Sequence, residues 1–223
     1  MGVRNWAHFV VTVVTIVLIS NTCFAYDDGD LQYWSTASAS FDIDKDWKFT
    51  FQEEFRLKES GGHLYYHHSE FGFVYKSLAD WIDVGLNYRG VFEKDSKGKW
   101  RQENQPSLNV TLKSKLFGFD LSNRSRLEYR DREIKKDVWR YRNKLTIRLP
   151  LEFTGLKLKP YLADEVFINL DEEGYNNNRL YAGVSFELSK NLTGDIFYLW
   201  QSSRSGGGRK DINAFGTGLS FYF

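Results

Sequence analysis

The stretch Phe119-Asp120-Leu121-Ser122-Asn123-Arg124-Ser125-Arg126-Leu127-Glu128-Tyr129-Arg130 alternates with period two. Asp120, Ser122, Arg124, Arg126, Glu128 and Arg130 fall on one parity, and Phe119, Leu121, Asn123, Ser125, Leu127 and Tyr129 on the other. A second stretch, Val138 to Leu149, sets Arg140, Arg142, Lys144, Thr146 and Arg148 against Trp139, Tyr141, Leu145, Ile147 and Leu149. Alternation of this kind is the signal of a β-strand. With the polar segment Asp131 to Asp137 between them, the two stretches read as one long hairpin. Each arm is longer than the usual strand of about 5–6 residues. A charged face backed by an aromatic and aliphatic one suits a barrel with lipid outside and water or a polar network inside. The fold class read from this hairpin is all-β, a transmembrane antiparallel β-barrel.

The pattern extends in both directions. Trp47 to Lys58 puts Trp47, Phe49, Phe51, Phe55 and Leu57, together with Glu53, opposite Lys48, Thr50, Gln52, Glu54, Arg56 and Lys58. His63 to Lys76 is expected to turn Tyr65, Phe71, Phe73 and Tyr75 outward and Tyr66, His68, Glu70 and Gly72 inward. Further strands are expected over Trp81–Phe92, Trp100–Lys113, Leu156–Asn169, Asn178–Leu188, Leu192–Ser203 and Asp211–Phe223. Leu31 to Phe41 alternates weakly and is rich in Ser and Ala. Bacterial single-chain barrels are normally even-numbered, so the eleven segments counted here imply about 10–12 strands, with twelve favoured. Connections near 44, 78, 116, 153 and 190 read as tight, and those near 60, 96, 134, 173 and 207 as longer and more polar. Short periplasmic turns and longer outer loops alternate in this way in outer-membrane barrels. Trp47, Trp81, Trp100, Trp139 and Trp200 lie near strand ends, where interfacial girdles sit.

At the N-terminus, Arg4 precedes an apolar run from Phe9 to Ile19, followed by Ser20-Asn21-Thr22-Cys23-Phe24-Ala25. Residues 1–25 read as a secretory signal peptide cut after Ala25, leaving 26–223 as the barrel. The run falls short of the roughly 20 residues of a spanning helix. Cys23 is the one cysteine, so disulfides play no part in the mature chain. Removing residues 1–25 takes away Arg4 and no acid, which leaves 29 basic and 29 acidic side chains. That balance argues against nucleic acid as a partner, because phosphate binding needs a basic excess. Aromatics make up 17% of the chain while the mean hydropathy is negative. A barrel reconciles the two, since alternation hides its apolar band from an average.

The last strand carries Phe215, Thr217, Leu219, Phe221 and Phe223 on one parity. A terminal Phe behind alternating apolar residues resembles the signature by which bacteria assemble outer-membrane proteins. Phe223 therefore implies the barrel-assembly machinery as a partner, with outer-membrane lipid as the surroundings and the bacterial cell outer membrane as the location. The chain as a whole resembles a family of bacterial outer-membrane proteins, domain-of-unknown-function family 2490. The matching pieces are Trp34, Glu54-Phe55-Arg56, Tyr88-Arg89, Asn123 to Arg130, Tyr141-Arg142-Asn143, Pro160-Tyr161 with Glu165, and Asn178-Arg179. The Arg-rich hairpin is the most specific of them. The resemblance implies an outer-membrane β-barrel, and it brings no assigned activity and no catalytic residues.

Pairing the hairpin about its loop sets Arg124 beside Lys144, Arg126 beside Arg142 and Glu128 beside Arg140. Like charges directly opposite destabilise a sheet unless acids intervene. The acids expected on the inward parity are Glu54, Glu70, Glu103, Glu128, Glu165 and Glu187. With Arg56, Arg89, Arg124, Arg126, Arg130, Arg140, Arg142, Lys144 and Arg179 they form the expected lumen network. Such a network either locks a narrow barrel or lines a porin-like channel that suits a small anionic solute. The segment Tyr65-Tyr66-His67-His68-Ser69-Glu70 raises the alternative of an enzyme acting on lipid or lipopolysaccharide. Alternation separates His67 and Ser69 from His68 and Glu70, so no catalytic constellation is expected. No zinc spacing, phosphate loop or dinucleotide fingerprint appears, and no metal or cofactor is expected.

Overall fold

A computed structural model describes residues 30–58, 62–151, 157–171, 174–205 and 208–223. The expected signal peptide lies outside them. The described residues form eleven strands: β1 (Asp30–Asp42), β2 (Trp47–Lys58), β3 (His63–Ala79), β4 (Ile82–Lys94), β5 (Trp100–Leu116), β6 (Phe119–Arg132), β7 (Val138–Arg148), β8 (Lys159–Asn169), β9 (Gly174–Ser189), β10 (Leu192–Ser205) and β11 (Gly208–Tyr222). Each strand pairs antiparallel with the next, and β1 closes the barrel against β11. The β6–β7 register is the one the alternation implies, with Arg124↔Lys144, Arg126↔Arg142 and Glu128↔Arg140.

The strand count is eleven, not the favoured twelve. An odd number makes the first and last strands run the same way, so β1 and β11 pair in parallel over Asp30↔Ile212 to Ser40↔Tyr222. Small side chains dominate this seam, which explains why Leu31 to Phe41 alternates weakly and yet forms a full strand. Ser38 Oγ and Ser220 Oγ lie 2.8 Å apart, and Tyr33 Oη and Thr217 Oγ1 2.6 Å. The seam reaches the last residue. The amide of Phe223 donates to the carbonyl of Ser40 at 2.9 Å, and the Phe223 ring stacks on Phe41 at 4.8 Å.

One rim carries the connections 43–46, 80–81, 117–118, 149–158 and 190–191, and is called the turn rim below. The other, the loop rim, carries 59–62, 95–99, 133–137, 170–173 and 206–207. The expected alternation holds for the short connections 80–81, 117–118 and 190–191 against the longer 95–99, 133–137 and 170–173, and fails at 149–158 and 206–207. The longest, 149–158, lies on the turn rim, with residues 152–156 outside the described part. On the loop rim, residues 174–177 and 208–210 extend the ladder instead of looping, because Tyr175 finds Ile168 and Lys210 finds Ser203 across the strands. The two-residue turn Phe117-Gly118 has φ of +49° and +84°. Positive φ at both central residues is the tight hairpin geometry that glycine favours.

Outward positions are apolar over most of the wall, and large exposed side chains such as Phe71, Leu86, Leu112, Leu162, Ile196 and Phe215 cover it. Trp47 and Trp81 stand at the turn rim, and Trp100 and Trp139 at the loop rim. Trp200 is a correction: β10 continues to Ser205, which leaves Trp200 within the strand. Tyr65 is another. A register shift between Arg56 and Leu57 swings it inward, where its hydroxyl donates to Gln32 Oε1 at 2.8 Å. A bulge resets which face a residue joins. Across β10 and β11, Phe197 is paired with Gly216 and lays its ring on the glycine. A Cβ at Gly216 would strike that ring.

Two predictions follow from this packing and from the loop rim. Gly216→Val should lower the urea midpoint of the refolded barrel by an amount equivalent to about 1–3 kcal/mol, the usual cost of overpacking. Gly90→Ala, with open space at its Cβ position, should leave it unchanged. On the loop rim, Asp95 accepts from Arg101 Nε at 2.9 Å and from the amides of Lys97 and Lys99 at 2.9 and 3.0 Å. The Arg101 bond, then the Lys99 amide, hold its carboxyl below the ordinary value of 3.8. A depressed acid contributes stability above its unfolded pKa and loses it as pH falls through the folded one. Protection of the Lys97 and Lys99 amides, taken relative to the intrinsic exchange rate at each pH, should therefore be full at neutral pH and fall as pH drops below about 4.

Candidate functional site: a filled lumen with one open vestibule

Eight strands make a barrel that side chains just fill, and sixteen or more leave a channel. Eleven strands fall between, so the interior needs long side chains to close it. Arginine and glutamate supply them along β2 to β7. Glu70 on β3 takes Arg89 Nε at 2.6 Å from the neighbouring strand. It also takes Arg126 Nη1 and Nη2 at 2.9 and 2.8 Å from β6, a bidentate pair that spans β4 and β5. Glu128 is fully buried and pairs with Arg140 and, at 3.4 Å, with Arg142. Glu165 takes Arg142 Nη2 at 2.7 Å and the Tyr181 hydroxyl at 3.0 Å. Glu103 pairs with Arg130, and Glu54 with Arg56 at 2.6 Å.

The opposite wall is apolar. Trp34, Tyr161, Ala163, Tyr181, Leu199, Ile212 and Ala214 form one buried cluster across β1 and β8 to β11, with Phe197 packed against it. Guanidinium groups join the two walls. Arg56 lies between the rings of Trp34 at 3.8 Å and Tyr66 at 4.1 Å, and Arg142 and Arg179 stand over Phe167 at 4.6 and 4.7 Å. A weakly hydrated, planar cation suits such stacking. Val91 and Val138 complete the fill from the charged side. Parity places Tyr66 inward, and Trp34 and Tyr161 are among the residues that carry the family resemblance, whereas Val91, Val138, Phe167, Leu199 and Ile212 are not singled out by the sequence reading. Their positions on the polar parity of their strands, as with Phe167, are the signal that could have found them.

Toward the turn rim the fill stops. A cavity of about 470 Å³ opens there, lined by Ser38, Ser40, Lys48, Thr50, Asn87, Asn109, Thr111, Ser122, Arg124, Lys144 and Thr146 among others, with Gln52, Glu70 and Arg126 at its inner end. Its lining belongs to the turn-side half of each strand. Nine inward cations (Arg56, Arg89, Arg124, Arg126, Arg130, Arg140, Arg142, Lys144, Arg179) meet five inward acids (Glu54, Glu70, Glu103, Glu128, Glu165) in the lumen network.

Of the expected network, Glu187 does not join. It lies half-buried near the turn rim and pairs with Lys157 at 2.7 Å and Lys159 at 3.8 Å, two residues before the end of β9 and away from the other acids. His68 is buried, 3.0 Å from the Tyr66 hydroxyl and 3.2 Å from Gln52 Nε2. His67 stacks outward on Phe92 at 4.9 Å. The two faces thus separate His68 and Glu70 from His67 and Ser69, and among the described residues no three His, Cys, Asp or Glu side chains are grouped to hold a metal. Glu165→Gln should lower stability by about 3–5 kcal/mol, since it removes the buried carboxylate that Arg142, Arg179 and Arg124 share. Arg124→Gln, which relieves a like-charge pair with Lys144, should leave the urea midpoint unchanged or raise it.

Among solved structures, the β-domain of the Bordetella autotransporter Brka is similar at 12% identity with a TM-score of 0.49, covering 81% of this chain and 85% of that one. No curated protein matches the chain. The family described as "Protein of unknown function (DUF2490)" matches residues 31–213, from the start of β1 into β11. The chain, a closed eleven-stranded β-barrel, therefore belongs to the DUF2490 family.

Proposed function

We propose that this protein is a non-catalytic outer-membrane β-barrel, sealed within its lumen and open as a vestibule at the turn rim. The observation that carries the reading is the contrast between the two halves of the interior. On the loop side, Trp34, Glu128, Val138, Phe167 and Leu199 are all buried, while on the turn side the cavity is open. A barrel sealed in this way holds or binds a solute and does not pass ions freely.

Membrane insertion is supported by the outward apolar wall and by the tryptophans at both rims. The strands run from 11 to 17 residues, enough for the roughly 9–11 that a crossing strand needs. In this reading residues 1–25 are the export signal, Phe223 is the handle for the barrel-assembly machinery, and the turn rim faces the periplasm. Phe223 is well placed for recognition, since it is exposed at that rim.

The test is planar-bilayer recording of the refolded chain 26–223 beside a gel that distinguishes folded from boiled barrel. A heat-modifiable band with no discrete conductance steps is expected. Stepwise ion-selective current would overturn the sealed lumen and return the channel reading. Recovery of the chain in the soluble periplasmic fraction of cells would overturn the membrane assignment.

A further inference from the structure

At the vestibule, β6 and β7 place four cations in a square, Arg124 and Arg126 opposite Lys144 and Arg142. Like charges at directly opposite positions repel, and each needs an acid. Arg126 is bound by Glu70 and Arg142 by Glu165 and Glu128. The other two have no carboxylate of their own. Arg124 Nη2 stands 3.6 Å from Glu165 Oε1, an oxygen already held by Arg142, and 37% of the Arg124 side chain remains exposed. Lys144 Nζ lies 3.8 Å over the Tyr181 ring, and no carboxylate lies within ion-pair distance of it among the described residues. Its cross-strand neighbour Glu165 is shared with Arg142, Arg179 and Arg124. Of the acids that line the cavity, Glu70 is held by Arg89 and Arg126, and Asp83 by Lys113 at 2.8 Å.

Two cations side by side, with a shared claim on Glu165 and no carboxylate of their own, face the cavity and match one dianion. The rest of the wall narrows the choice. Ser38, Ser40, Thr50, Ser122, Thr146 and Ser220 bring hydroxyls to the cavity, beside apolar surface from Phe51, Val74 and Phe221. Its volume, about 470 Å³, falls in the range of small-molecule sites. We propose that the vestibule binds the phosphate monoester of a sugar or polyol. Arg124 and Lys144 take the phosphate oxygens, and the hydroxyl-lined wall faces the ring or chain. Arginine offers planar paired donors and lysine a point charge, the combination by which phosphate is commonly held. This inference deepens the sealed-vestibule reading and rests on it.

Glucose 6-phosphate is the probe, titrated calorimetrically into the refolded barrel in detergent, with glucose, inorganic phosphate, Arg124→Gln, Lys144→Gln and Lys115→Gln as comparisons. Lys115 is an exposed turn-rim lysine paired with Asp120, outside the cavity lining. Saturable binding of glucose 6-phosphate is expected, weakened about tenfold or more in each of the first two variants and unchanged in the third. Glucose alone should give no heat, and inorganic phosphate should bind more weakly. Absence of binding to a barrel that is folded by its heat-modifiable band would overturn the proposal. So would equal binding by Arg124→Gln and Lys144→Gln, and inorganic phosphate binding as tightly would overturn the polyol part. Conductance recorded on the same preparation keeps the two readings apart: current steps refute the seal, whatever the calorimetry reads.

Discussion

Closing eleven strands leaves a lumen too wide for aliphatic side chains alone to bridge and too narrow to remain a channel by default, and the interior of this barrel answers that width. Guanidinium and carboxylate groups reach far enough to meet, so Arg126 can bind Glu70 across two intervening strands. Removing such charges from water is costly, and the cost is offset only where geometry is good and the remaining donors are satisfied. Bidentate pairing at Glu70 and the Tyr181 hydroxyl at Glu165 meet that condition. Aromatic faces add to the acids, as Trp34 and Tyr66 do around Arg56, which Glu54 also binds.

The odd strand number has its own consequences. Parallel pairing is slightly weaker per residue than antiparallel, and here it joins residues from opposite ends of the chain. Small side chains, hydroxyl contacts and the stacked Phe41–Phe223 pair make up the seam. Because β1 and β11 run together, the chain enters the described barrel at the loop rim and ends at the turn rim. The barrel therefore has two chemically different walls as well as two different ends. Aromatic and aliphatic side chains dominate the fill from β8 to β11, and charge runs from β2 through Glu165 on β8 to Arg179 on β9. The vestibule forms on the charged side, where the fill runs out before the turn rim and Arg124 and Lys144 are left with no carboxylate of their own.

Much of this was legible in the residues. Period-two alternation specified the hairpin register, because slipping by one residue would turn every arginine of β6 and β7 to the outside. That is why Arg124↔Lys144 and Glu128↔Arg140 could be paired before any coordinates. Fourteen of the fifteen expected lumen charges face one another as the parity implies; Glu187 does not, since parity says which face a residue joins and not how far along the barrel it sits. Tyr65 escaped for a related reason. A bulge changes parity partway along a strand, and a single sequence carries no mark of it.

The sequence by itself determined that the chain is a barrel, which face of each strand turns inward and which charges the interior must hold, because alternation and side-chain polarity are local properties. Only the tertiary structure decided that there are eleven strands and that the seam is parallel. It alone decided that Glu165 is shared among several cations while Arg124 and Lys144 are left facing an open cavity. Those outcomes depend on closure, which brings together strands far apart in the chain and sets the width that side chains must span. Width, and with it the division into a filled half and an open one, is a property of the closed ring and of no single strand.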